Sequence, residues 1–158
     1  MTKTRIAPGG SVRMIDVSGK DETLRTAVAG CRVVMKASTM DTIKSGAIQK
    51  GNVYEVAKVA GIMAAKNTPA LIPLCHPLRI QSVDVTFHHV DGSSFDIRAE
   101  VKAKDVTGVE MEALAAVAAA ALCVYDMCKY LDQGISIENI RLLSKSGGKT
   151  GQYVRADL

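Results

Sequence analysis

Aromatic residues are scarce in this sequence, and it contains no long uncharged segment. Its 158 residues include no Trp, two Phe and four Tyr, which predicts a mainly aliphatic core and argues against function through aromatic stacking. The uncharged window around the most apolar run, residues 113–125, has 13 residues, whereas a membrane-spanning helix needs about 20. The first residues also lack the apolar stretch of a signal peptide. We therefore expect a cytoplasmic protein that does not enter a membrane.

Cysteine is also infrequent, and its spacing is not that of a disulfide framework. The four cysteines are Cys31, Cys75, Cys123 and Cys128, with no CxxC pair among them. A chain of this length can bury a core without covalent staples. Reduced thiols are therefore expected.

The excess of positive charge is small, at +4. Most Lys and Arg residues lie near acidic residues in the sequence. Those without close counter-charges lie near the C-terminus: Arg141, Lys145, Lys149 and Arg155. This distribution favours an anionic small molecule as ligand over a long nucleic acid, which needs a broad basic face.

The first half of the chain is predicted to contain one strand and two helices. Residues 31–38 read CRVVMKAS and predict a strand, followed by a short helix over 39–45. Asn52 is predicted to cap the next helix, and Pro69 to mark its end. The predicted buried face of that helix comprises Val53, Val56, Ala57, Ala60 and Ala64.

The second half predicts a hairpin, a long helix and a last strand. Two runs with a period of two residues, between 80 and 104, surround a turn at Asp91 and predict a β-hairpin. An Ala-rich helix is predicted over 110–132, and a strand over 135–145.

The order β, α, β, β, α, β predicts an α+β, ferredoxin-like fold. This split βαβ arrangement has an antiparallel sheet with helices on one face. Residues 1–158 are expected to form a single domain, with about 1–12 and 152–158 flexible.

The segment LIPLCHPL places Cys75 and His76 side by side between Pro73 and Pro77. The pair could be a nucleophile with its base, two metal ligands, or part of a rigid wall. Neighbours in an extended chain point to opposite sides, which argues against a shared metal ion. A nucleophilic thiol would need a base and a cation or helix N-terminus to lower its pKa. Because proline restricts φ on both sides, the pattern favours a rigid wall with His76 as a fixed donor.

The segment SKSGGKTG, residues 144–151, partly imitates a phosphate-binding P-loop. The full motif needs Gly where Leu143 stands and a helix after Thr150, for which too few residues remain. A Gly-rich segment with Lys145 and Lys149 can still bind an anion through backbone amides and ammonium groups. A flexible tail is the alternative.

Asp126 and Lys129 share a helix face and predict either a surface ion pair or a pair for proton transfer. Glu112 and Asp126 are 14 positions apart, which is about 21 Å along a helix. One small substrate cannot contact both on the same helix. If both are functional, antiparallel helices from two subunits related by a two-fold axis must bring them together.

Taken together, these motifs resemble the molybdenum-cofactor biosynthesis protein C family. The matching stretches are MIDVSGK from Met14, KGNVYEVAKVAGIMAAKNTPALIPLCHPL over 50–78, TGVEMEALAAVAAAALCVYDMCKYLD over 107–132, and IRLLSKSGGKTG over 140–151. They span nearly the whole chain. Asn52 stands where the family usually has Asp, and both residues cap helices.

The resemblance implies an enzyme of molybdenum cofactor biosynthesis. Its substrate would be a small nucleotide-derived molecule, a cyclised dihydroguanosine triphosphate, converted to cyclic pyranopterin monophosphate with release of pyrophosphate. The resemblance also implies a homohexamer, a trimer of dimers associating through helices and sheet, with the active site at the dimer interface. It implies no resident cofactor or metal and no nucleic-acid partner, and it leaves open whether Mg²⁺ accompanies the triphosphate.

By position, the resemblance assigns residues to three groups. The catalytic group comprises Asp126, Lys50 and Lys129. The substrate-binding group comprises Leu74, Cys75, His76, Glu110, Met111 and Glu112. The triphosphate group comprises Arg25, Lys145 and Lys149.

Two other classes of protein share this order of elements. An RNA-binding module needs aromatic residues on its central strands, but Phe87 and Phe95 fall on the apolar face of the hairpin. A non-catalytic regulatory domain that binds a nucleotide would need the anion site without the catalytic group.

Overall fold

The computed structural model describes residues 10, 12–149 and 151–156. These residues form five strands and three helices. In chain order they are β1 (Thr23–Val34), α1 (Ala37–Lys44), α2 (Val53–Leu71), β2 (Ile80–His89), β3 (Ser94–Asp105), α3 (Glu110–Cys128), β4 (Ser136–Ser146) and β5 (Tyr153–Val154).

The strands form a single antiparallel sheet in the order β2-β3-β1-β4-β5. Strands β1 and β2 run in the same direction with antiparallel β3 between them, which is the split βαβ arrangement. Helix α3 packs on β1 and β3, and α2 packs on β2 and on α3. The predicted α+β, ferredoxin-like fold is therefore confirmed.

Alternation along the strands separates a core face from a polar face. On β3, Phe95, Ile97, Ala99, Val101 and Ala103 are fully buried, whereas the alternating residues Asp96, Arg98, Glu100 and Lys102 are at least partly exposed. Side chains two residues apart share a face of a sheet. The predicted hairpin is confirmed, and both of its Phe residues lie in or against the core rather than on a free surface.

Helix α2 begins where the sequence predicts but buries a different face. Asn52 Oδ1 accepts hydrogen bonds from the amides of Tyr54 and Glu55, which confirms the cap. The buried residues of α2 are Val53, Ala57, Gly61, Ala65 and Thr68. The predicted face was partly wrong, because Val56 is 44% exposed and Ala60 and Ala64 are only half-buried. Apolar residues of α2 occur on most sides of the helix, so periodicity alone does not identify the face that packs against α3.

Several predicted boundaries were wrong. Strand β1 ends at Val34 rather than at residue 38, and α1 begins at Ala37 rather than at residue 39. Strand β1 begins at Thr23 rather than at residue 31, because residues 23–30 pair with β3, and most of them also with β4. Helix α2 continues past Pro69 to Leu71. Helix α3 ends at Cys128 rather than at residue 132.

The early end of α3 has a local cause. The carboxylate of Asp132 is buried and accepts hydrogen bonds from the amides of Lys36 and Gly134. It therefore ties the turn after α3 to the start of α1, and the chain leaves the helical path. A buried carboxylate needs such donors.

Parts of both predicted flexible ends lie outside the described residues. These parts are residues 1–9, 11, 157 and 158, and Thr150 of the Gly-rich segment is also outside. Tyr153 and Val154 pair with Lys145 and Ser144 of β4.

By length and composition alone, α3 could cross a membrane. Half of its apolar window is buried inside the protein, however, where it packs on β1, β3 and α2. This is the environment of a core helix, so α3 is weak evidence for a membrane span.

The contact between α2 and α3 predicts a stability effect at Gly61. A Cβ atom there would lie 3.0 Å from the carbonyl oxygen of Ala116 and 3.1 Å from Val85 Cγ2. We expect Gly61→Val to lower the free energy of unfolding by about 1–3 kcal/mol, because a larger side chain pushes the helices apart. Chemical denaturation measures this change. Lys66→Val, at an exposed position of the same helix, serves as the control and should change it by about 0.5 kcal/mol or less; equal effects would contradict close helix packing.

Candidate active site

Two adjoining cavities lie at the N-terminal end of α3. The first, which we call the His76 pocket, has a volume of about 390 Å³ and is lined by residues from the segments 13–20, 72–78 and 107–112. The second, which we call the Arg25 pocket, has a volume of about 480 Å³ and is lined by residues from 20–26, 106–110 and 145–149. Lys20, Thr107, Gly108 and Glu110 line both cavities. A single elongated ligand could therefore occupy both.

His76 is fixed in the wall of the His76 pocket by a bond to the N-terminal segment. Its Nε2 lies 2.8 Å from the carbonyl oxygen of Ile15. Because a carbonyl oxygen can only accept a hydrogen bond, Nε2 carries the proton and donates the hydrogen bond to the carbonyl of Ile15. A neutral His76 then has Nδ1 as a hydrogen-bond acceptor. Leu74 and Cys75 line the same cavity.

Glu112 is a buried acid in the first turn of α3. It is only 2% exposed and lines the His76 pocket together with Met111. Burial, assisted by the neighbouring charge of Glu110, raises the pKa of Glu112 above its ordinary value. The side chain is therefore suited to hydrogen bonding with a polar ligand edge that enters the cavity.

Glu110 forms part of the wall between the two cavities. Its Oε1 accepts a hydrogen bond from Lys145 Nζ at 2.7 Å, and both side chains are less than one-third exposed. A Cβ atom at Gly108 would overlap the carboxylate of Glu110. Glycine at that position therefore allows the first side chain of α3 to fold back toward both cavities.

The Arg25 pocket gathers positive charge from two strands and a Gly-rich segment. Arg25 donates to the carbonyl oxygens of Gly147 and Val106, and its buried Nε has no hydrogen-bond partner among the described residues. Gly148 has a φ of 75°, and a Cβ there would overlap the guanidinium group. Lys145 and Lys149 line the same cavity. Clustered cations with free N–H groups favour an anionic ligand.

Lys20 lines both cavities but was not singled out in the sequence. The signal that could have identified it was its place in MIDVSGK, one of the stretches that match the family. Its wide separation from Lys145 along the chain concealed their common location.

Asp126 lies between two lysines at the other end of α3. Its Oδ2 is 2.9 Å from Lys50 Nζ, and its Oδ1 is 2.8 Å from Lys129 Nζ. Hydrogen bonds from Lys129 and Lys50 lower the pKa of Asp126 to about 2, and the same contact raises the pKa of Lys129. All three side chains are about half exposed. We call these residues the Asp126 cluster.

The structure thus divides the predicted site residues between the two ends of α3. Nine of them line the two cavities, and the three of the Asp126 cluster line neither. Glu112 and Asp126 are both within α3, so about 21 Å of helix separates them. Within the described residues, no group of three or more His, Cys, Asp or Glu side chains could hold a metal ion.

Comparisons with known proteins give consistent similarities. Residues 14–148 match the model of the MoaC family. A protein of Thermoanaerobacter sp. (strain X514) is 53% identical over 98% of this chain and 99% of its own length. Proteins of Desulfitobacterium hafniense and Trichodesmium erythraeum are 50% and 53% identical over 99% and 96% of this chain, covering 96% and 92% of their own lengths. Each of the three is named cyclic pyranopterin monophosphate synthase.

The burial of Glu112 predicts a pH-dependent stability effect. Because its folded pKa is above its unfolded value, Glu112 contributes stability below the unfolded pKa that is lost as pH rises through the folded pKa. At neutral pH, Glu112→Gln should therefore raise Tm by about 2–4 °C, the shift expected for about 1 kcal/mol in a domain of this size. Thermal unfolding from pH 4 to pH 8 measures this difference, which should shrink toward acid. Glu138→Gln, at an exposed position of β4, is the control; a Glu112→Gln effect independent of pH would contradict burial of the charge as the cause.

Proposed function

The chain belongs to the MoaC family, and on that premise we propose that it converts a cyclised dihydroguanosine triphosphate to cyclic pyranopterin monophosphate, releasing pyrophosphate. The family and the named relatives identify it as an enzyme of molybdenum cofactor biosynthesis. The observation that carries the proposal is the junction of an acid-containing cavity with a cation-lined one. A ring with a triphosphate requires both environments.

The ring system is assigned to the His76 pocket. A guanine-type edge presents adjacent N–H donors, and a carboxylate such as Glu112 is a suitable acceptor for them. Met111 and Leu74, which line the cavity beside it, supply apolar contact. Cys75 is assigned to the wall rather than to nucleophilic attack.

The triphosphate is assigned to the Arg25 pocket. The sugar hydroxyl attacks the α-phosphorus in line and gives up its proton to water or to the departing pyrophosphate. The new P–O bond closes the cyclic phosphate as the bond to pyrophosphate breaks and pyrophosphate leaves with its electron pair. Arg25, Lys145 and Lys149, which line the pocket, stabilise the negative charge on the phosphate oxygens. The unpartnered Nε of Arg25 supports this assignment.

The Asp126 cluster is proposed to move the protons needed for ring opening and rebuilding. In the single chain its groups are half exposed, and the pKa of Lys129 is raised, which disfavours deprotonation near neutral pH. A second subunit and the substrate would remove water from the cluster and lower the pKa of a lysine. The cluster therefore becomes suitable for acid–base chemistry when it is covered.

We propose that a two-fold axis brings the Asp126 cluster of one subunit to the His76 pocket of another. The separation along α3 supports this arrangement, since one ligand cannot reach both ends in the same chain. Apolar side chains exposed on the helices also support it: Val59, Met63 and Leu122 are 58%, 52% and 62% exposed. Three such dimers would form the proposed homohexamer.

We propose that the reaction needs no resident cofactor. Arg25, Lys145 and Lys149 can supply positive charge to the phosphates, and Mg²⁺ can enter with the triphosphate. A cytoplasmic location is part of the proposal. Cys31, Cys123 and Cys128 are free thiols, which supports a reducing compartment.

The first test is turnover by the purified protein without added metal. We expect the cyclised dihydroguanosine triphosphate to yield cyclic pyranopterin monophosphate and pyrophosphate. Asp126→Asn and Lys50→Ala should lower kcat by about 100-fold or more, because each removes a proton-transfer group. Asp84→Asn, at an exposed position of β2, should retain activity. A second series with Mg²⁺ or a chelator tests the metal requirement; binding by the wild type without product would identify a non-catalytic ligand-binding domain.

A mixing experiment tests the shared site. Glu112→Gln and Asp126→Asn should each be inactive alone, because each damages every site. When subunits of the two variants are dissociated, mixed in equal amounts and reassociated, half of the dimers are hybrids with one intact site each. About one quarter of the wild-type activity should return for a two-fold dimer with shared sites. If mass spectrometry shows that hybrid dimers form but no activity returns, each complete site lies within one chain.

A further inference from the structure

Asp105, the last residue of β3, is a buried carboxylate with no assigned role. It is 8% exposed and does not line either cavity. Its Oδ2 accepts a hydrogen bond from the amide of Arg79 at 3.0 Å, and its Oδ1 accepts one from the amide of Val106 at 2.8 Å. Burial is the largest influence and opposes ionisation, but the two amides, together with the charges of Arg79 and Arg25, hold the pKa of Asp105 below its ordinary value.

The two amides adjoin two segments that line the His76 pocket, and Val106 itself lines the Arg25 pocket. Arg79 directly follows the segment 72–78, which includes Cys75 and His76. Val106 directly precedes Thr107 and Gly108, which also line the His76 pocket. The carboxylate of Asp105 therefore joins the end of the segment 72–78 to the start of the segment at Thr107, 26 positions of chain separating Arg79 from Asp105.

A third lining segment is connected to the same carboxylate through Arg79. The Arg79 guanidinium Nε lies 3.8 Å from Asp105 Oδ2, and its other end pairs with Glu22. Glu22 follows closely after the lining segment 13–20. The ion pairs Glu22–Arg79 and Arg79–Asp105 thus connect segments that are distant in sequence but surround one cavity.

We propose that Asp105 is a positioning residue that holds the walls of the His76 pocket at the spacing required for substrate binding. This inference rests on the function proposed for that pocket. Asp105 acts through the backbone of Arg79 and Val106 rather than by touching the ligand. An ionised carboxylate suits this role because both of its oxygens accept hydrogen bonds. Asn has almost the same shape but only one accepting oxygen, so it cannot hold both amides.

The position of Asp105 also determines which kinetic constant should change. The Asp126 cluster is attached to the other end of α3 and has no contact with Asp105 among those described. A change in the pocket walls should weaken ground-state and transition-state binding alike, while the proton-transfer groups stay intact. Such uniform loss of binding raises KM and leaves kcat nearly unchanged.

The test compares Asp105→Asn with Asp96→Asn. Asp96 is on the same strand and pairs with Arg32 on the polar face of the sheet, so its replacement removes a carboxylate contact without touching a pocket wall. We expect Asp105→Asn to raise KM about 10-fold or more with kcat within about 3-fold of wild type. Asp96→Asn should keep KM within about 2-fold. Equal KM values for the two variants, or loss of kcat with KM unchanged, would overturn the proposal.

Calorimetric binding of the same triphosphate separates this proposal from the proposed function. If the wild type binds without turnover, the catalytic proposal fails, while weaker binding by Asp105→Asn alone still supports the positioning role. Unchanged affinity in Asp105→Asn would overturn that role in either case.

Amide hydrogen exchange in the wild type tests the contacts even if Asp105→Asn does not fold. The Arg79 side chain is 71% exposed, yet its backbone amide should exchange slowly because it donates to a buried carboxylate. The Val106 amide should also exchange slowly. In a folded Asp105→Asn protein, at least one of these amides should exchange faster, while those of β1 stay protected. Rapid exchange of both amides in the wild type would overturn the proposal.

Discussion

The close packing of α3 against the sheet and α2 is the constraint on which the rest of the site depends. Ala113, Ala116 and Ala120 of α3 are fully buried. Gly61 of α2 lies so near α3 that an added Cβ would touch the backbone of Ala116. Small side chains leave little freedom to slide or rotate α3, because interiors are close-packed. The helix therefore holds Glu112 at the cavities and Asp126 at the opposite end.

The two ends of α3 differ in their exposure to water, and this difference explains the proposed assembly. Glu112 is buried within a single chain and has a raised pKa, so its chemical environment is already formed. Asp126 remains half exposed and strongly ionised between Lys50 and Lys129. An exposed ion pair is a stable resting arrangement but a poor acid–base pair. Association between subunits would cover this end and complete a site whose other half is already enclosed.

The cavities are built largely from segments with little regular structure, held by partly buried polar contacts. Asp105 holds two backbone amides, and Arg25 donates to Gly147 and Val106 beside the second cavity. These contacts place irregular backbone segments at defined positions on the sheet and helix. Substrate-binding loops on a rigid scaffold are a common arrangement in enzymes.

Local patterns in the sequence determined the hairpin and the Asn52 cap, whereas most of the candidate site residues were assigned through the resemblance to the family. Period-two alternation depends on neighbouring residues, and a cap needs only the next few amides. The buried face of α2 and the start of β1 could not be predicted in this way, because they depend on which helix or strands lie alongside. Only the tertiary structure placed Lys20 beside both cavities and Asp105 between Arg79 and Val106. The physical reason is that these locations depend on residues far apart in the sequence, such as Arg79 and Asp105, which are 26 positions apart, and the packing of the whole chain brings them together.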